Sequence, residues 1–138
     1  MSRQPLHFLT AEQVVEIHEH LLERWGGLAG GGHRGSAYEG VEAVVQAVKN
    51  SYYDKVDELS AAYAVCIVQG HVFQDGNKRT GAAAMRVFLE ANGIRARIPP
   101  SKLVSLMIEV QQRAEAGADV GRLVHWIAET IERSRAAR

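Results

Sequence analysis

Residues 71–81 combine the side-chain types that are needed to transfer a phosphoryl or nucleotidyl group. This signature segment has the sequence His-Val-Phe-Gln-Asp-Gly-Asn-Lys-Arg-Thr-Gly and is followed by an alanine-rich run typical of a helix. It contains an imidazole at His71, a carboxylate at Asp75 and two adjacent cations at Lys78 and Arg79. A base, a ligand suited to a metal ion and a cluster of positive charge are the groups that such a transfer requires.

The second half of the signature segment predicts a phosphate site. Residues 76–79 are expected to span the start of a helix, where free N–H groups and the helix dipole favour a bound anion. Gly76 can adopt backbone angles that allow successive N–H groups to converge on such an anion. Without an anion, the charges of Lys78 and Arg79 would be unfavourable at this end of a helix.

Three further residues of the signature segment have predicted roles. A carboxylate beside bound phosphates would repel them, so Asp75 is predicted to hold a Mg²⁺ ion that it shares with the phosphate oxygens. Imidazole accepts protons near neutral pH, which makes His71 the expected base for an incoming hydroxyl group. Phe73 is expected to anchor the segment in the core. Taken singly, these residues also have ordinary structural explanations, such as a helix-end histidine or an Asp-Gly turn.

The composition of the chain limits the classes of function that remain. Its 138 residues suffice for one domain, which we expect to span residues 1–138. The 16 basic and 16 acidic residues balance without forming long blocks, which argues against direct binding of nucleic acid. The N-terminus has no apolar signal region, and no window approaches the roughly 18 apolar residues that span a bilayer. We therefore expect a cytoplasmic protein that does not contact a membrane.

Helical periodicity extends over nearly the whole chain and predicts an all-α fold of about six helices. Capping-box patterns beginning at Thr10 and at Ser36 predict the starts of the first two helices, with a glycine-rich loop at residues 29–35 between them. Asp57 is expected to open the third helix. Residues 94–98 alternate apolar and charged side chains like a short strand, so a small β-hairpin flap is compatible with the pattern.

Two further groups of residues have ordinary structural explanations. Cys66 lies in an apolar run with no cation beside it, which predicts a buried, reduced thiol and not a nucleophile. His18 and His20 are two positions apart on a predicted helix, so their side chains point about 200° apart. They are not expected to bind a common metal ion.

The signature segment resembles the motif of Fic-domain proteins, His-x-Phe-x-Asp/Glu-Gly/Ala-Asn-x-x-Arg. The matching residues are His71, Phe73, Asp75, Gly76, Asn77 and Arg79. Lys78 replaces a glycine common in the family and resembles the Asn-Lys-Arg-Thr form of the Doc branch, while Ala82 replaces a second arginine. Similarity to Doc proteins extends over roughly residues 6–133, and its clearest segments are 8–18, 24–28, 58–63 and 88–93.

This resemblance implies a compact helical Fic fold and an enzyme that transfers part of a nucleotide to a protein hydroxyl group. Most Fic proteins transfer AMP. Doc-type toxins are instead kinases that place the γ-phosphate of ATP on a threonine of elongation factor Tu and so halt translation, and an antitoxin of the Phd type neutralises them. By position, His71 would be the base, Asp75 the Mg²⁺ ligand, and Asn77, Lys78 and Arg79 the groups that contact phosphate.

Several alternatives remain open at this point. Lys78 fills space where other Fic proteins have glycine, and Ala82 removes a second cation, which together favour a γ-phosphate at the base and hence a kinase. The alternatives are transfer of AMP, transfer of another nucleotide-linked group, or a catalytically silent scaffold that binds a partner. Tyr52 and Tyr53 occupy the place of the flap that aligns the target in Fic proteins, and are equally well explained as aromatic residues at the core edge.

The self-inhibitory motif of many Fic proteins, Ser/Thr-x-x-x-Glu-Gly/Asn, is incomplete in this chain. Residues 105–109 match its beginning, but Val110 follows where the motif has Gly or Asn. The arginine that would pair with Glu109 is also missing, since its position is Ala82. Glu109 is therefore expected to be an ordinary solvated helix residue, and inhibition by a separate chain is the natural expectation.

Overall fold

The computed structural model describes residues 5–25 and 34–136 of the chain. Most of this part is helical: α1 (Ala11–Trp25), α2 (Arg34–Lys49), α3 (Val56–Gly70), α4 (Asn77–Ala91), α5 (Pro100–Glu115) and α6 (Val120–Ala136). The predicted all-α fold of about six helices is confirmed. No helix within these ranges is long and apolar enough to cross a membrane. Most of the glycine-rich loop expected at residues 29–35 lies outside the described residues.

Helix α3 forms the centre of the bundle. It is buried on nearly every face between Leu59 and Val68, and the side chains of Tyr63 and Ile67 are fully enclosed. A helix that is apolar all round is expected to be surrounded by other elements. α3 accordingly packs against α2, α4, α5 and α6, while α1 packs against α2 and α4. The hydroxyl oxygen of Tyr63 accepts a 3.0 Å hydrogen bond from the N–H of Leu9, which ties the segment before α1 to this centre.

The capping-box predictions are confirmed at α1 but not at α2. The N–H of Thr10 donates to the side chain of Gln13 at 2.8 Å, and the N–H of Gln13 donates to the hydroxyl of Thr10 at 3.1 Å. These reciprocal bonds satisfy two donors that the start of a helix leaves unpaired. Helix α2 instead begins at Arg34, two residues before the start predicted at Ser36.

The third helix begins at Val56, one residue before the predicted Asp57. Asp57 is buried in the first turn, and both of its carboxylate oxygens accept hydrogen bonds from Nη1 of Arg135 in α6, at 2.7 and 2.8 Å. An acidic group is favourable in the first turn of a helix, and pairing avoids the cost of an isolated buried charge. The ion pair therefore joins the start of α3 to the end of α6.

The prediction of a short strand at residues 94–98 is wrong. Burial does alternate there, with Ile94 and Ala96 half-buried and Ile98 buried, but no strand occurs anywhere in the described ranges. A strand needs a second strand beside it to complete its hydrogen-bond ladder. Packing of an irregular connection against the helices explains the alternation. Residues 50–55, which contain Tyr52 and Tyr53 in the place of the Fic flap, form a turn, bends and irregular backbone.

The signature segment begins where α3 ends and continues into α4. Gly81, its last residue, sets the spacing of these helices. A Cβ atom at this position would lie 3.1 Å from the carbonyl oxygen of Ala64 and 3.1 Å from Cγ2 of Val68. Glycine permits this close contact because it has no side chain. The close packing of α3 against α4 therefore fixes the positions of both ends of the connecting residues 71–76.

Candidate active site

His71 lies at the sharp turn where the chain leaves α3. It caps this helix in a left-handed backbone conformation, with φ 45° and ψ 48°. Among the described residues it is the one non-glycine residue with a positive φ. Histidine adopts this conformation more readily than most residues, but still at a cost. The turn leaves the imidazole exposed, which a base that meets an incoming substrate requires.

Phe73 holds the inner face of the signature segment. Its ring is buried and stacks on the ring of His18 from α1, with centroids 3.7 Å apart and ring planes 7° apart. His18 is itself buried, and its Nε2 donates a hydrogen bond of 2.8 Å to the carbonyl oxygen of Asp75. His18 therefore positions two residues of the segment from a different helix.

The side chain of Asn77 forms hydrogen bonds with the backbone of the signature segment. Its Oδ1 accepts a 3.0 Å hydrogen bond from the N–H of Phe73, and its Nδ2 donates a 2.7 Å hydrogen bond to the carbonyl oxygen of Phe73. A side-chain amide has one oxygen and two N–H donors, so both of its ends are engaged within the loop. Asn77, which was predicted to contact phosphate, thus shapes the turn that presents the neighbouring groups.

Gly76 and Asp75 form the entrance to α4. Gly76 caps the helix with φ 81°, a left-handed conformation in which a side chain would be strained. Its N–H donates a hydrogen bond of 2.8 Å to Oδ1 of Asp75. The first turn of α4 contains no acidic residue, so nothing within it offsets the partial positive charge of the helix N-terminus.

One pocket of about 190 Å³ gathers five of the predicted site residues. They are His71, Asp75, Gly76, Asn77 and Lys78. Val68 of α3, Gln74 of the loop and Gln111 of α5 complete the lining. An imidazole, a carboxylate, a cation and the N-terminus of a helix therefore share one cavity, which we call the nucleotide pocket after the ligand that the sequence predicts for it. These are the groups that bind a phosphate and stabilise its transfer.

Arg79 lines a second pocket. This cavity of about 490 Å³ lies between α1, α4 and the start of α5, and Leu21, Ala82 and Arg86 are among its lining residues. Successive residues of a helix point about 100° apart, which explains why two adjacent cations separate. Of the two, Lys78 lines the nucleotide pocket and Arg79 does not.

Tyr52 and Tyr53 differ in environment. Tyr53 is half-buried and packs against the core, and burial raises the pKa of its hydroxyl, as does the nearby charge of Glu58. The explanation as a core-edge aromatic residue therefore fits Tyr53. Tyr52 is fully exposed on the connection between α2 and α3 and is the better candidate for contact with a target.

Cys66 and Glu109 lie outside the nucleotide pocket. Cys66 is half-buried, and burial raises the pKa of its thiol, which disfavours the reactive thiolate. Glu109 accepts hydrogen bonds of 2.9 and 2.7 Å from Arg113, one turn further along α5. The guanidinium of Arg113 in turn lies 3.8 Å from the ring centroid of Trp126. Glu109 is thus engaged on its own helix.

Asp75 is the carboxylate that the nucleotide pocket offers to a metal ion. Within the described ranges, no group of three or more His, Cys, Asp or Glu residues is arranged to hold a metal. This donor set does not suit zinc, which takes three or four protein ligands. It fits Mg²⁺, which binds through one or two carboxylates and completes its shell with water and substrate phosphates.

Sequence reasoning missed His18 and Gln111 as parts of the site. His18 falls one helical turn after the buried Val14, and hence on the face of α1 that is turned to the core. A polar ring at such a position signals a buried hydrogen bond, so this residue could have been found. Gln111 gave no signal, because its place in the pocket depends on how α5 packs.

Two comparisons with known proteins identify the family of this chain. The model of the Fic/DOC family matches residues 8–89, which is more than half of the chain and includes the signature segment. The chain is also 32% identical over 131 residues to protein kinase doc of Escherichia phage P1, and the match covers 93% of this chain and 95% of that protein. The resemblance predicted from the sequence is confirmed. The chain belongs to the Fic/Doc family.

Proposed function

We propose that this protein is a Doc-like toxin, a kinase that transfers the γ-phosphate of ATP to a hydroxyl group of a protein. The family match supports transferase activity, and the relative from phage P1 is named a protein kinase. The target that we propose is a threonine of a translation factor such as elongation factor Tu, so that phosphorylation inhibits translation. The reaction would take place in the cytoplasm, where such a target occurs.

The observation that most supports phosphoryl transfer is the position of Lys78. Its side chain lines the pocket of His71 and Asp75, where its charge can meet a terminal phosphate beside the base. A glycine there would instead let the inner phosphates of a nucleotide approach the backbone. The position of a second family arginine is Ala82, which is buried and lines the other pocket. The cation that a second arginine would supply at position 82 is therefore missing.

In the proposed reaction, the imidazole of His71 accepts the proton of the substrate hydroxyl while the hydroxyl oxygen bonds to the γ-phosphorus. The bond between that phosphorus and the β,γ-bridging oxygen breaks, and ADP leaves with the electron pair. Lys78 and the N–H groups at the start of α4 stabilise negative charge on the transferred group. General base catalysis of this kind contributes a factor of about 10²–10⁴.

Asp75 is the residue that we propose to hold Mg²⁺. A bound Mg²⁺ ion neutralises charge on the phosphate oxygens during such a transfer. The backbone of Asp75 is held by the hydrogen bond from His18, and its carboxylate is oriented by the N–H of Gly76. Little ordering of this residue would then remain to be done when the nucleotide binds.

We further propose that an antitoxin of the Phd type inhibits this protein, as its membership of the Fic/Doc family suggests. Glu109, the nearest equivalent of a self-inhibitory glutamate, is bound to Arg113, and its expected partner position is Ala82. Inhibition within the chain would therefore lack both a free glutamate on α5 and the arginine that it would bind at position 82. We also propose that residues 1–138 form one Fic/Doc domain with a core at about residues 6–133.

Transfer from differently labelled ATP tests this proposal. The purified protein is incubated with elongation factor Tu, Mg²⁺ and ATP that carries the label at either the α- or the γ-phosphate. We expect label on elongation factor Tu from the γ position alone. Label from the α position would identify adenylyl transfer instead. Absence of transfer from both, together with unchanged toxicity of His71→Ala in cells, would favour a binding scaffold.

A further inference from the structure

We propose that residues 94–98, which connect α4 to α5, bind an extended acidic segment of another protein by pairing of the two backbones. We call this stretch, Ile-Arg-Ala-Arg-Ile, the docking edge. The inference goes beyond the proposed transfer reaction, because neither the nucleotide pocket nor the pocket of Arg79 is lined by any residue of the docking edge.

The docking edge has the side-chain arrangement of a strand that lacks a second strand. Ile94, Ala96 and Ile98 pack against the hydrophobic core. Arg95 and Arg97, which alternate with them, are exposed. Because side chains of an extended chain point to opposite faces in turn, this alternation indicates an extended backbone. Its length is about 13 Å, which matches a short strand of a partner.

The backbone of the docking edge has hydrogen-bonding groups that a partner can use. In the part of the chain that the structure describes, the N–H and C=O groups of residues 95–97 have no protein partner. A row of such groups on an extended chain is a template for pairing with another chain. In recognition of this kind, main-chain hydrogen bonds supply affinity and alternate side chains supply specificity.

Hydrogen bonds fix both ends of the docking edge. The N–H of Ile94 donates a 2.9 Å hydrogen bond to the carbonyl oxygen of Leu89 in α4. The carbonyl oxygen of Pro99 accepts hydrogen bonds of 2.9 and 3.1 Å from the N–H groups of Lys102 and Leu103 in α5. Pro99 itself has an extended backbone, with φ −60° and ψ 148°. A segment that is already extended loses little conformational freedom when a partner binds, which favours association.

The charge around the docking edge determines the chemistry of the partner. Residues 91–108 contain Arg95, Arg97 and Lys102 and no acidic residue. Within the described ranges, none of these three side chains forms an ion pair. Opposite charges that face each other across two strands stabilise their pairing. A segment with acidic residues at alternate positions would place its carboxylates opposite the two arginines.

A second copy of this chain fits the docking edge poorly. Antiparallel pairing of two copies around Ala96 would place Arg95 of one chain opposite Arg97 of the other. Like charges in directly opposite positions destabilise a pair of strands. Charged side chains on an edge commonly protect proteins against self-association. The two arginines therefore disfavour self-pairing and favour an acidic segment of a different protein.

Titration with the peptide Thr-Glu-Thr-Glu-Thr tests the proposal. This peptide is as long as the docking edge and can place a glutamate opposite each arginine. Its binding to the isotope-labelled full chain is followed by the NMR shifts of the backbone amides, and a peptide with lysine in place of glutamate is compared. The protein variant is the double replacement Arg95→Glu and Arg97→Glu. Arg122→Glu is the matched control, because Arg122 is exposed in the first turn of α6, where an acidic residue is favourable.

Two N-methylated peptides test whether the backbones pair. Successive residues of a strand direct their backbone groups to opposite edges. Methylation of the glutamate nitrogens and methylation of the threonine nitrogens should therefore have unequal effects. We expect one of the two peptides to bind about tenfold more weakly or worse, and the other to bind within about threefold of the parent peptide.

We expect amide shifts centred on residues 94–98 and a Kd that the double replacement raises about tenfold or more, whereas Arg122→Glu leaves it unchanged. The lysine peptide should prefer the doubly altered protein. Shifts located outside the docking edge, an equal effect of the control, or equal effects of the two methylated peptides would overturn the proposal. Self-association of the unaltered protein that the double replacement abolishes would assign the edge to a second copy and would overturn it as well. These measurements need no phosphate transfer, so their outcome is independent of the proposed function.

Discussion

The two faces of the signature segment differ in what they contact. The outer face presents His71, Asp75 and Lys78 to the nucleotide pocket. The inner face consists of Phe73, which stacks on a ring from α1, and Asn77, which bonds to the backbone of Phe73. Groups suited to chemistry and groups that fix geometry thus alternate along one short stretch of chain. Activity and stability should therefore respond to different substitutions within a few residues of one another.

Replacement of His71 by Asn should have the largest effect on activity. Asn tolerates the left-handed backbone conformation but cannot take the hydroxyl proton. We expect the transfer rate to fall about 10²–10⁴-fold. The free energy of unfolding should change by less than about 1 kcal/mol, because the side chain is exposed. The two quantities are measured by labelled transfer and urea unfolding. A large loss of stability would place His71 with the inner face.

Phe73→Ala should have the largest effect on stability. Removal of this buried, stacked ring is expected to lower the free energy of unfolding by about 3–5 kcal/mol and, by loosening the loop, to raise the KM for ATP. Phe8→Ala is the control, because Phe8 packs against Phe88 with a centroid distance of 6.1 Å, away from the signature segment. If both variants raise the KM for ATP equally, the effect of Phe73 on ATP binding comes from a general loss of core packing and not from its place in the signature segment.

The Asn77→Ala variant distinguishes two possible roles of the Asn77 side chain, which are shaping the loop and contacting phosphate. If Asn77 mainly shapes the loop, its loss leaves the N–H and carbonyl of Phe73 unpaired and lowers the free energy of unfolding by about 1–3 kcal/mol. If it mainly contacts phosphate, the KM for ATP rises while stability stays the same. Thermal unfolding with and without ATP distinguishes these outcomes, and we expect the first.

His18→Leu should have a smaller effect. It removes the hydrogen bond to the carbonyl oxygen of Asp75 and is expected to cost about 1 kcal/mol of stability. The KM for ATP should rise because Asp75 loses its support from α1. His20→Leu is the matched control, since His20 is exposed two residues further along the same helix. Identical kinetics of the two variants would contradict a positioning role for His18.

Tyr63→Phe should have the smallest effect, which is a change in the stability of the protein at alkaline pH. Burial raises the pKa of the Tyr63 hydroxyl above its usual value of 10.0. The unfolded chain then loses this proton first, so the stabilisation is fully present below about pH 10 and is lost as the pH rises further. Tyr63→Phe should make the decline shallower. It should not abolish it, because the pKa values of Tyr38 and Tyr53 are also raised. The free energy of unfolding is measured with denaturant at several pH values above about 10. If Tyr63 is not involved, this free energy will fall with pH equally steeply in Tyr63→Phe and in the unaltered protein.

Local sequence was sufficient for much of the fold and the pocket. Helical periodicity depends on which face of a segment is apolar, so the helices could be located from the chain alone. The spacing from His71 to Lys78 includes the end of one helix and the start of the next. For that reason the sequence predicted that the imidazole, the carboxylate and a cation would lie together.

Features that depend on packing between distant segments could not be predicted in this way. The spacing of His18 from Val14 indicates that His18 is buried, but its contacts with Phe73 and Asp75 require α1 to lie against the signature segment, which no local pattern specifies. Helix geometry separates Lys78 from Arg79, but the two pockets that they line depend on how α5 packs against α4. Residues 94–98 have the alternation of a strand, and the absence of a second strand in the described ranges became evident from the tertiary structure.

Phosphoryl transfer with His71 as the base is tested most directly by the intact mass of elongation factor Tu after incubation with this protein, ATP and Mg²⁺. We expect a gain of one phosphoryl group, located on a threonine by fragmentation, and no gain when His71→Asn is used. A gain of one AMP group would contradict the kinase assignment. An equal phosphoryl gain with the unaltered protein and with the variant would contradict the role of His71.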